Sequence, residues 1–189
     1  MLRVHGGKEK YFHDIVGANF RIDSLQAALL CVKMDHLEQY SAGRAANAAY
    51  YGTHLSSIKG VGQAEESNCV CQGGDPGIDW NGRGIRILLP AASSHKKHIW
   101  NQYTLRVLGP ASSRDALKTF LQARQIGCET YYPLPMHRQA CFRPADGVIP
   151  ALPVSERLSG ECLSVPIFPE LSREQQDTVI GGIADFLSQ

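Results

Sequence analysis

Three runs of apolar residues at helical spacing constrain the fold of this chain more than any other feature of its sequence. These runs predict helices that open at Asp23, Ser113 and Ser172. Asp23 and Ser172 each have a glutamine three residues later, a pairing in which the two side chains cap the first turn of a helix. The apolar positions of the three helices are, in order, Leu25, Ala28, Leu29 and Val32; Leu117, Phe120 and Leu121; and Val179, Ile180, Ile183, Phe186 and Leu187.

The first helix is predicted to be long and to connect two parts of the chain. Leu37 and Tyr40 extend its apolar face, and the alanine-rich tract that follows carries the helix to about His54, with a bend near Gly43. The second helix is predicted to end at Gly127, because glycine favours the backbone conformation that terminates helices.

Short apolar or alternating runs predict strands at residues 103–108, 128–132 and 162–165. Residues 78–80 and 83–89 flank Asn81-Gly82, which is a strong signal for a tight hairpin. Strand–helix units beside a long helix predict an α/β chain that contains a small α+β domain, with a mainly antiparallel sheet packed by helices.

Composition excludes several classes of function. Nineteen basic and 18 acidic side chains give a net charge of +1, so no basic excess is present to neutralise nucleic-acid phosphates. The longest apolar run, residues 27–32, is far shorter than the ~18 residues of a membrane span. No secretory signal opens the chain, so we expect a cytoplasmic protein with reduced thiols. The cysteines are Cys31, Cys69, Cys71, Cys128, Cys141 and Cys162.

Common metal, phosphate-loop and nucleophile motifs are absent from the sequence. Cys69 and Cys71 precede His95 and His98, but the Cys spacing is too short for a zinc site and two lysines separate the histidines. The Gly82-x-Gly84 pair lacks the remaining residues of either phosphate-loop motif. We therefore predict no metal site and identify no catalytic nucleophile in this chain.

Asn19 and Arg21 are the first candidate binding residues. They flank an aromatic residue directly before the helix at Asp23. An amide donor beside a guanidinium can clamp a phosphate or a carboxylate. The alternative is that Asn19 caps a turn and Arg21 pairs with an exposed acid, since single polar loop residues are common.

The second candidate stretch is residues 131–137, in which Tyr131, Tyr132 and His137 lie on a loop stiffened by two prolines. These side chains can stack on, or hydrogen-bond to, a sugar or a base. Simple packing of the tyrosines over the edge of a core is the alternative.

Ordered motifs along the chain resemble the DegT/DnrJ/StrS family of pyridoxal-phosphate-dependent nucleotide-sugar aminotransferases. The resemblance extends over the chain apart from residues 65–79, which look like an insertion. The motifs are Arg3-x-His5-Gly6, Lys10-Tyr11 and His13, residues 17–23, Gln26-Ala27-Ala28, residues 101–106, Arg114-Asp115, Tyr131-Tyr132-Pro133-x-Pro135-x-His137 and residues 163–169.

The resemblance implies the C-terminal part of a fold type I transferase with pyridoxal phosphate as cofactor. The complete enzyme would move an amino group, expected to come from glutamate, to a nucleotide-linked keto-sugar in polysaccharide or surface-glycan synthesis. A homodimer with an active site shared between subunits is implied. Asn19 would reach the cofactor phosphate of the other subunit with Arg21 close by, and the loop from Tyr132 to His137 would line the nucleotide-sugar side of the pocket.

The same resemblance implies that much of the enzyme precedes this sequence. The lysine that binds the cofactor covalently matches a position before Met1, and Lys8 and Lys10 are interpreted as surface charges. We therefore expect an inactive fragment with four segments: residues 1–22, the end of the large domain and an interface arm; 23–58, a connecting helix; 59–99, the hairpin and insertion; and 100–189, the small domain. A non-catalytic remnant or dimerisation module, and the sugar dehydratase branch of the family, remain as alternatives.

Overall fold

The computed structural model describes residues 1–63, 82–93 and 95–189, and these residues form two compact units. The first unit combines Met1–Leu37 with Tyr132–Ser159, and the second combines Glu38–Tyr131 with Gly160–Gln189. Each unit is therefore built from two separate stretches of sequence. The segment boundaries expected after residues 22, 58 and 99 were based on the parts of the complete enzyme that the segments resemble. The two units are defined by contacts within this chain and do not test those boundaries, which stay a prediction.

The first unit begins with two short strands and a helix. Strands β1 (Gly7–Glu9) and β2 (Phe12–His13) pair antiparallel. Helix α1 (Ser24–Met34) has the predicted capping pair: the Asp23 carboxylate accepts from the Gln26 amide at 2.8 Å, and the Gln26 side chain accepts from the Asp23 amide at 3.3 Å. Every residue of α1 is described and none of them is buried.

The prediction of one long helix from Asp23 to about His54 is wrong, because the structure divides it into two. α1 ends at Met34, and a tight turn follows in which the His36 amide donates to the Lys33 carbonyl at 3.1 Å. Helix α2 (Leu37–Leu55) then begins. The division falls at the boundary between the two units: α1 belongs to the first unit, and all of α2 except Leu37 belongs to the second.

Gly43 lies within α2, which continues through it without interruption. A side-chain carbon at Gly43 would lie 3.2 Å from both the Cα and the carbonyl oxygen of Pro169. Glycine at this position therefore allows α2 to pack closely against the chain, and the bend expected near it stays a prediction. Asn47 of α2 donates to the Phe168 carbonyl at 2.8 Å, which holds the same segment.

A four-stranded sheet forms the centre of the second unit. Its strands lie side by side in the order β3 (Val61–Gln63), β4 (Ile87–Leu89), β5 (Tyr103–Val107) and β6 (Cys162–Val165). β3 runs parallel to β4, whereas the pairs β4–β5 and β5–β6 are antiparallel. The predicted α/β fold with a mainly antiparallel sheet is confirmed.

Helices α2, α3 (Ala111–Ala123) and α5 (Arg173–Leu187) cover this sheet and complete its hydrophobic core. α5 starts with the capping pair predicted for Ser172 and Gln175. All eight apolar positions predicted for α3 and α5 are buried or packed against the core, namely Leu117, Phe120, Leu121, Val179, Ile180, Ile183, Phe186 and Leu187.

Helix α3 begins and ends at other residues than predicted. It starts at Ala111 rather than Ser113, after Pro110 in an extended conformation. It ends at Ala123 rather than Gly127, because Gln125 adopts the left-handed conformation (φ 59°) that closes a helix. The Ile126 amide then donates to the Leu121 carbonyl at 3.0 Å, and the burial of Ile126 stabilises this ending.

Two predicted strands also need correction. The strand expected at residues 128–132 is a single bridge between Glu129 and Ser164, because Pro133 follows and cannot donate to a ladder. The strand expected at residues 83–89 starts only at Ile87. Residues 78–81 of the expected hairpin, the insertion at 65–79 and the two cysteines of the zinc alternative, Cys69 and Cys71, lie outside the described residues.

The proline-rich region after Pro135 contains helical structure. Two short 3₁₀ turns occupy Met136–Arg138 and Ala140–Phe142, and helix α4 occupies Pro153–Glu161. Proline is tolerated in the first turn of α4, because the amide it lacks would have no partner there. Like the other helices in the described part of the chain, α4 does not have the length and apolar composition required to cross a membrane.

Candidate functional site

The loop that carries Asn19 and Arg21 is held by backbone pairing with the first residues of the chain. The Ala18 amide donates to the Leu2 carbonyl at 2.8 Å, and Asn19 lies opposite Val4 in an antiparallel bridge. Side chains two residues apart on extended backbone point to the same side. The pairing therefore places Asn19 and Arg21 next to each other.

A hydrogen bond fixes the orientation of these two side chains. Arg21 Nε donates to Asn19 Oδ1 at 2.7 Å, and both residues are exposed. With its oxygen engaged by Arg21, Asn19 presents its Nδ2 group to solvent as a donor. The structure thus brings together the two predicted binding residues.

An open depression of about 750 Å³ adjoins this pair. Its lining includes three cationic side chains and no carboxylate, together with apolar side chains from α1. Such a surface favours a ligand with an anionic group and an apolar body. The lining residues are Arg3, Asn19, Arg21, Ile22, Gln26, Leu29, Leu30 and Lys33.

Tyr132, the first of the predicted substrate residues, is 61% exposed. Its ring contacts the Tyr11 ring edge to face, with centroids 5.4 Å apart. The Lys10 ammonium lies 4.8 Å from the centroid of the Tyr11 ring. Tyr132 is therefore accessible to a ligand beside a second aromatic ring and a cation.

His137, the second predicted substrate residue, has a different environment. Its Nε2 lies 2.9 Å from Glu156 Oε1, and only 8% of its side chain is exposed. Glu156 also accepts from Arg138 at 2.9 Å and from the Leu152 amide at 3.2 Å. The hydrogen bonds from His137, Arg138 and the Leu152 backbone lower the pKa of the Glu156 carboxyl from 4.5 to about 2. In this structure His137 thus fastens its loop to α4, and its role toward substrate stays a prediction.

Gln139 is a residue of this region that sequence reasoning missed. Its side chain is buried, accepts from the His13 amide at 3.0 Å and donates to the Tyr11 carbonyl at 2.9 Å. It therefore fixes the turn between β1 and β2. Tyr11 and His13 belong to the motifs quoted above, but no local pattern predicts a contact with a residue more than 120 positions away.

The fold and this surface together describe an α/β protein whose first unit carries an open depression lined by three cationic side chains. The sequence model of the DegT/DnrJ/EryC1/StrS aminotransferase family matches residues 1–70 and 82–184, and the chain belongs to that family. The resemblance is thereby confirmed. Pyridoxal phosphate is the cofactor of the family's aminotransferases.

Relatives and solved structures match nearly the whole of this chain but less than half of their own length. The pleiotropic regulatory protein of Geobacillus stearothermophilus is 36% identical over 186 residues, which are 98% of this chain and 42% of the relative. A UDP-N-acetyl-3-dehydro-α-D-glucosamine 3-aminotransferase of Acidithiobacillus ferrooxidans is 34% identical over 92% of this chain and 38% of the relative. The structure of DesV from S. venezuelae has a TM-score of 0.65 and 29% identity, and the match covers 100% of this chain and 43% of DesV. The chain therefore spans about two fifths of the length of these relatives.

Proposed function

We propose that this chain forms part of an enzyme that transfers an amino group to a nucleotide-linked keto-sugar, and that Asn19 and Arg21 bind the phosphate of pyridoxal phosphate. The observation that carries the proposal is the hydrogen-bonded Asn19–Arg21 pair at the edge of a cationic depression. The similarity to the A. ferrooxidans relative, a UDP-sugar aminotransferase, supports the substrate class.

The donor set of the depression fits a phosphate group. The Asn19 amide and the Arg21 guanidinium would donate to phosphate oxygens, and charge-assisted bonds of this kind are the strong ones. Arg3 and Lys33 add positive charge, and Leu29 offers apolar surface for the body of the ligand. When bound, pyridoxal phosphate supplies the electron-withdrawing ring on which amino-group transfer depends.

We also propose that the site is shared between two copies of the chain in a homodimer, with Asn19 reaching the cofactor of the other subunit. The residues around Asn19 support this, because a run of large apolar side chains there is exposed and an exposed apolar patch favours association. The exposed side chains are Phe20, Ile22, Leu25, Leu29, Leu30, Val32 and Met34. Glutamate as amino donor, a role in polysaccharide or surface-glycan synthesis, and a cytoplasmic location complete the proposal.

Phosphate binding is tested by titrating the 189-residue chain with pyridoxal phosphate and, separately, with inorganic phosphate, while the backbone amides at and around position 19, which every variant retains, are followed by NMR. We expect saturable shifts at Asn19 with both ligands. Asn19→Ala and Arg21→Ala should each weaken binding, because a hydrogen bond to a charged group contributes about 1.5–3 kcal/mol. The matched control is Arg143→Ala, which removes an exposed arginine of the same unit outside the depression. If all variants bind both ligands with the affinity of the wild type, Asn19 and Arg21 do not take part in phosphate binding.

A second experiment tests the proposal that no lysine of this chain binds the cofactor covalently. Lys8 and Lys10 are not among the residues that line the depression, whereas Lys33 is. After incubation with pyridoxal phosphate and reduction with borohydride, mass spectrometry should find no stoichiometric adduct at a single lysine. A single adduct at Lys33 would contradict this part of the proposal.

A further inference from the structure

We propose that Gly17 is a positioning residue of the phosphate site. Because it lacks a side chain, its backbone approaches the start of the chain closely enough for residues 18–20 to pair with residues 2–5. This pairing sets Asn19 and Arg21 at the edge of the depression. The inference rests on the proposed function and deepens it, because it traces the shape of the site to a residue that does not line the depression.

The backbone around Gly17 leaves no room for a side chain. A Cβ atom at this position would lie 2.5 Å from the Gly6 nitrogen, 2.6 Å from the Leu2 carbonyl oxygen and 2.8 Å from the His5 carbonyl carbon. Favourable contacts between non-bonded atoms lie at about 3.5–4.0 Å. All three atoms belong to the backbone and cannot turn aside as the end of a flexible side chain can. Any larger residue would therefore push the first residues of the chain away.

This close contact adjoins the hydrogen bonds that join the two segments. The Leu2 carbonyl, which the added carbon would meet, accepts from the Ala18 amide at 2.8 Å. The Ala18 carbonyl accepts from the His5 amide at 3.1 Å, and the Phe20 amide donates to the Arg3 carbonyl at 3.2 Å. Displacement of the first residues would therefore loosen all three bonds.

The pairing also gathers positive charge at one place. Arg3 lies on one segment and Arg21 directly follows the other, and both line the depression. Two guanidinium groups repel each other, so they stay at one site because the backbone holds them there and not because they attract. A bound phosphate offsets this repulsion and offers several oxygens to the donors of Arg3, Asn19 and Arg21. The geometry that Gly17 permits is thus the geometry that an anion requires.

The first test is a titration of the 189-residue chain and its Gly17→Ala variant with inorganic phosphate, in which the backbone amides around position 19 are followed by NMR. Gly17 does not have a positive φ, so alanine disturbs this position only through its contacts. We expect Gly17→Ala to bind phosphate roughly tenfold more weakly, as the loss of one hydrogen bond to a charged group would. Gly127→Ala, in which the added carbon meets open space, is the matched control and should bind as the wild type does.

Two further measurements distinguish positioning from a general loss of structure. The resonance of the Arg21 Nε–H group reports its bond to Asn19 and should shift toward that of free arginine in Gly17→Ala. The His13 amide, which donates to Gln139 in the same unit, should keep its resonance. In the Asn19→Ala background, Gly17→Ala should weaken phosphate binding by a smaller factor, because one of the groups it positions is gone. A general loss of structure would give the same factor in both backgrounds.

If the His13 resonance shows that Gly17→Ala is unfolded, hydrogen exchange of the wild type decides the matter. Phosphate at ten times its Kd should slow exchange of the Ala18 and Phe20 amides about tenfold, because a ligand that requires the pairing also stabilises it. The Gly147 amide, which donates to the Pro144 carbonyl elsewhere in the same unit, should exchange at an unchanged rate.

Two results would overturn the inference: a folded Gly17→Ala chain that binds phosphate as tightly as the wild type, or exchange of the Ala18 and Phe20 amides that phosphate leaves unchanged. In both cases phosphate binding by the wild type shows that the proposed site itself stands. Absence of phosphate binding by the wild type contradicts the proposed function, and the inference with it. Failure of this inference and failure of the proposed function are thus distinguishable.

Discussion

The two units of the molecule are stabilised in different ways. The second unit closes around a continuous hydrophobic core in which Leu105, Leu163 and Ile183 are completely buried. The first unit exposes the apolar side chains of α1 and is held together by polar contacts, chiefly those of Gln139 and Glu156. Every residue that we assign to ligand binding lies in the first unit. The second unit is therefore stabilised mainly by its buried core, whereas the unit with the proposed site leaves large apolar side chains exposed.

The largest expected effect is a difference in the free energy of unfolding between two leucine-to-alanine variants, one in each unit. Leu105→Ala in β5 should lower the free energy of unfolding by about 2–5 kcal/mol, because it opens a cavity in the core. Leu25→Ala in α1, where the side chain is 71% exposed, should change it by about 0.5 kcal/mol or less. Urea unfolding of both variants measures the difference. Similar losses would mean that α1 is as well packed as the sheet.

Hydrogen exchange should separate the two units without any substitution. The amides of β5, which pairs with strands on both sides, should exchange slowly because they open only when the core opens. The amides of Ala18 and Phe20 have backbone partners but lie in an exposed loop, so they should exchange fast. Equal protection of the amides in both regions would contradict the difference in stability between the two units. If the chain were also monomeric, the expectation that the exposed face of α1 drives association would be contradicted as well.

The smallest expected effect concerns the pH dependence of stability, and it tests the role of the polar contacts made by Glu156. Because hydrogen bonding lowers the pKa of Glu156 from 4.5 to about 2, its contribution to stability is present above pH 4.5 and is lost as pH falls from there through about 2. In Glu156→Gln this part of the pH dependence should be missing, which unfolding curves between pH 5 and 2 would detect. Glu38→Gln, at an exposed glutamate paired with Lys97, serves as control and should retain it. A Glu156→Gln curve parallel to that of the wild type would show that the carboxylate is not holding the loop.

Local signals predicted the parts of the molecule that depend on near neighbours. Both capping pairs lie three residues apart, so the sequence alone contains the donor and the acceptor of each bond. The proximity of Asn19 and Arg21 follows in the same way from their spacing on extended backbone. Predictions that needed a distant partner were less successful. The strand expected at residues 128–132 is a single bridge, and α3 ends at Ala123, before Gln125 in the left-handed conformation and the buried Ile126.

Reasoning from the amino-acid sequence alone identified the family and the helix starts at Asp23 and Ser172, and it selected Asn19, Arg21, Tyr132 and His137 as candidate residues. The division of the long helix after Met34, the contact of Glu156 with His137 and the hydrogen bond from Gln139 to the Tyr11 carbonyl depend on the folded chain. The physical reason is the range of the forces involved. Helix caps and apolar periodicity depend on interactions within one or two helical turns, so residues close together in the sequence are enough to predict them. Which buried amide or carboxylate meets which loop depends on contacts across the chain, and these exist only once the units have folded.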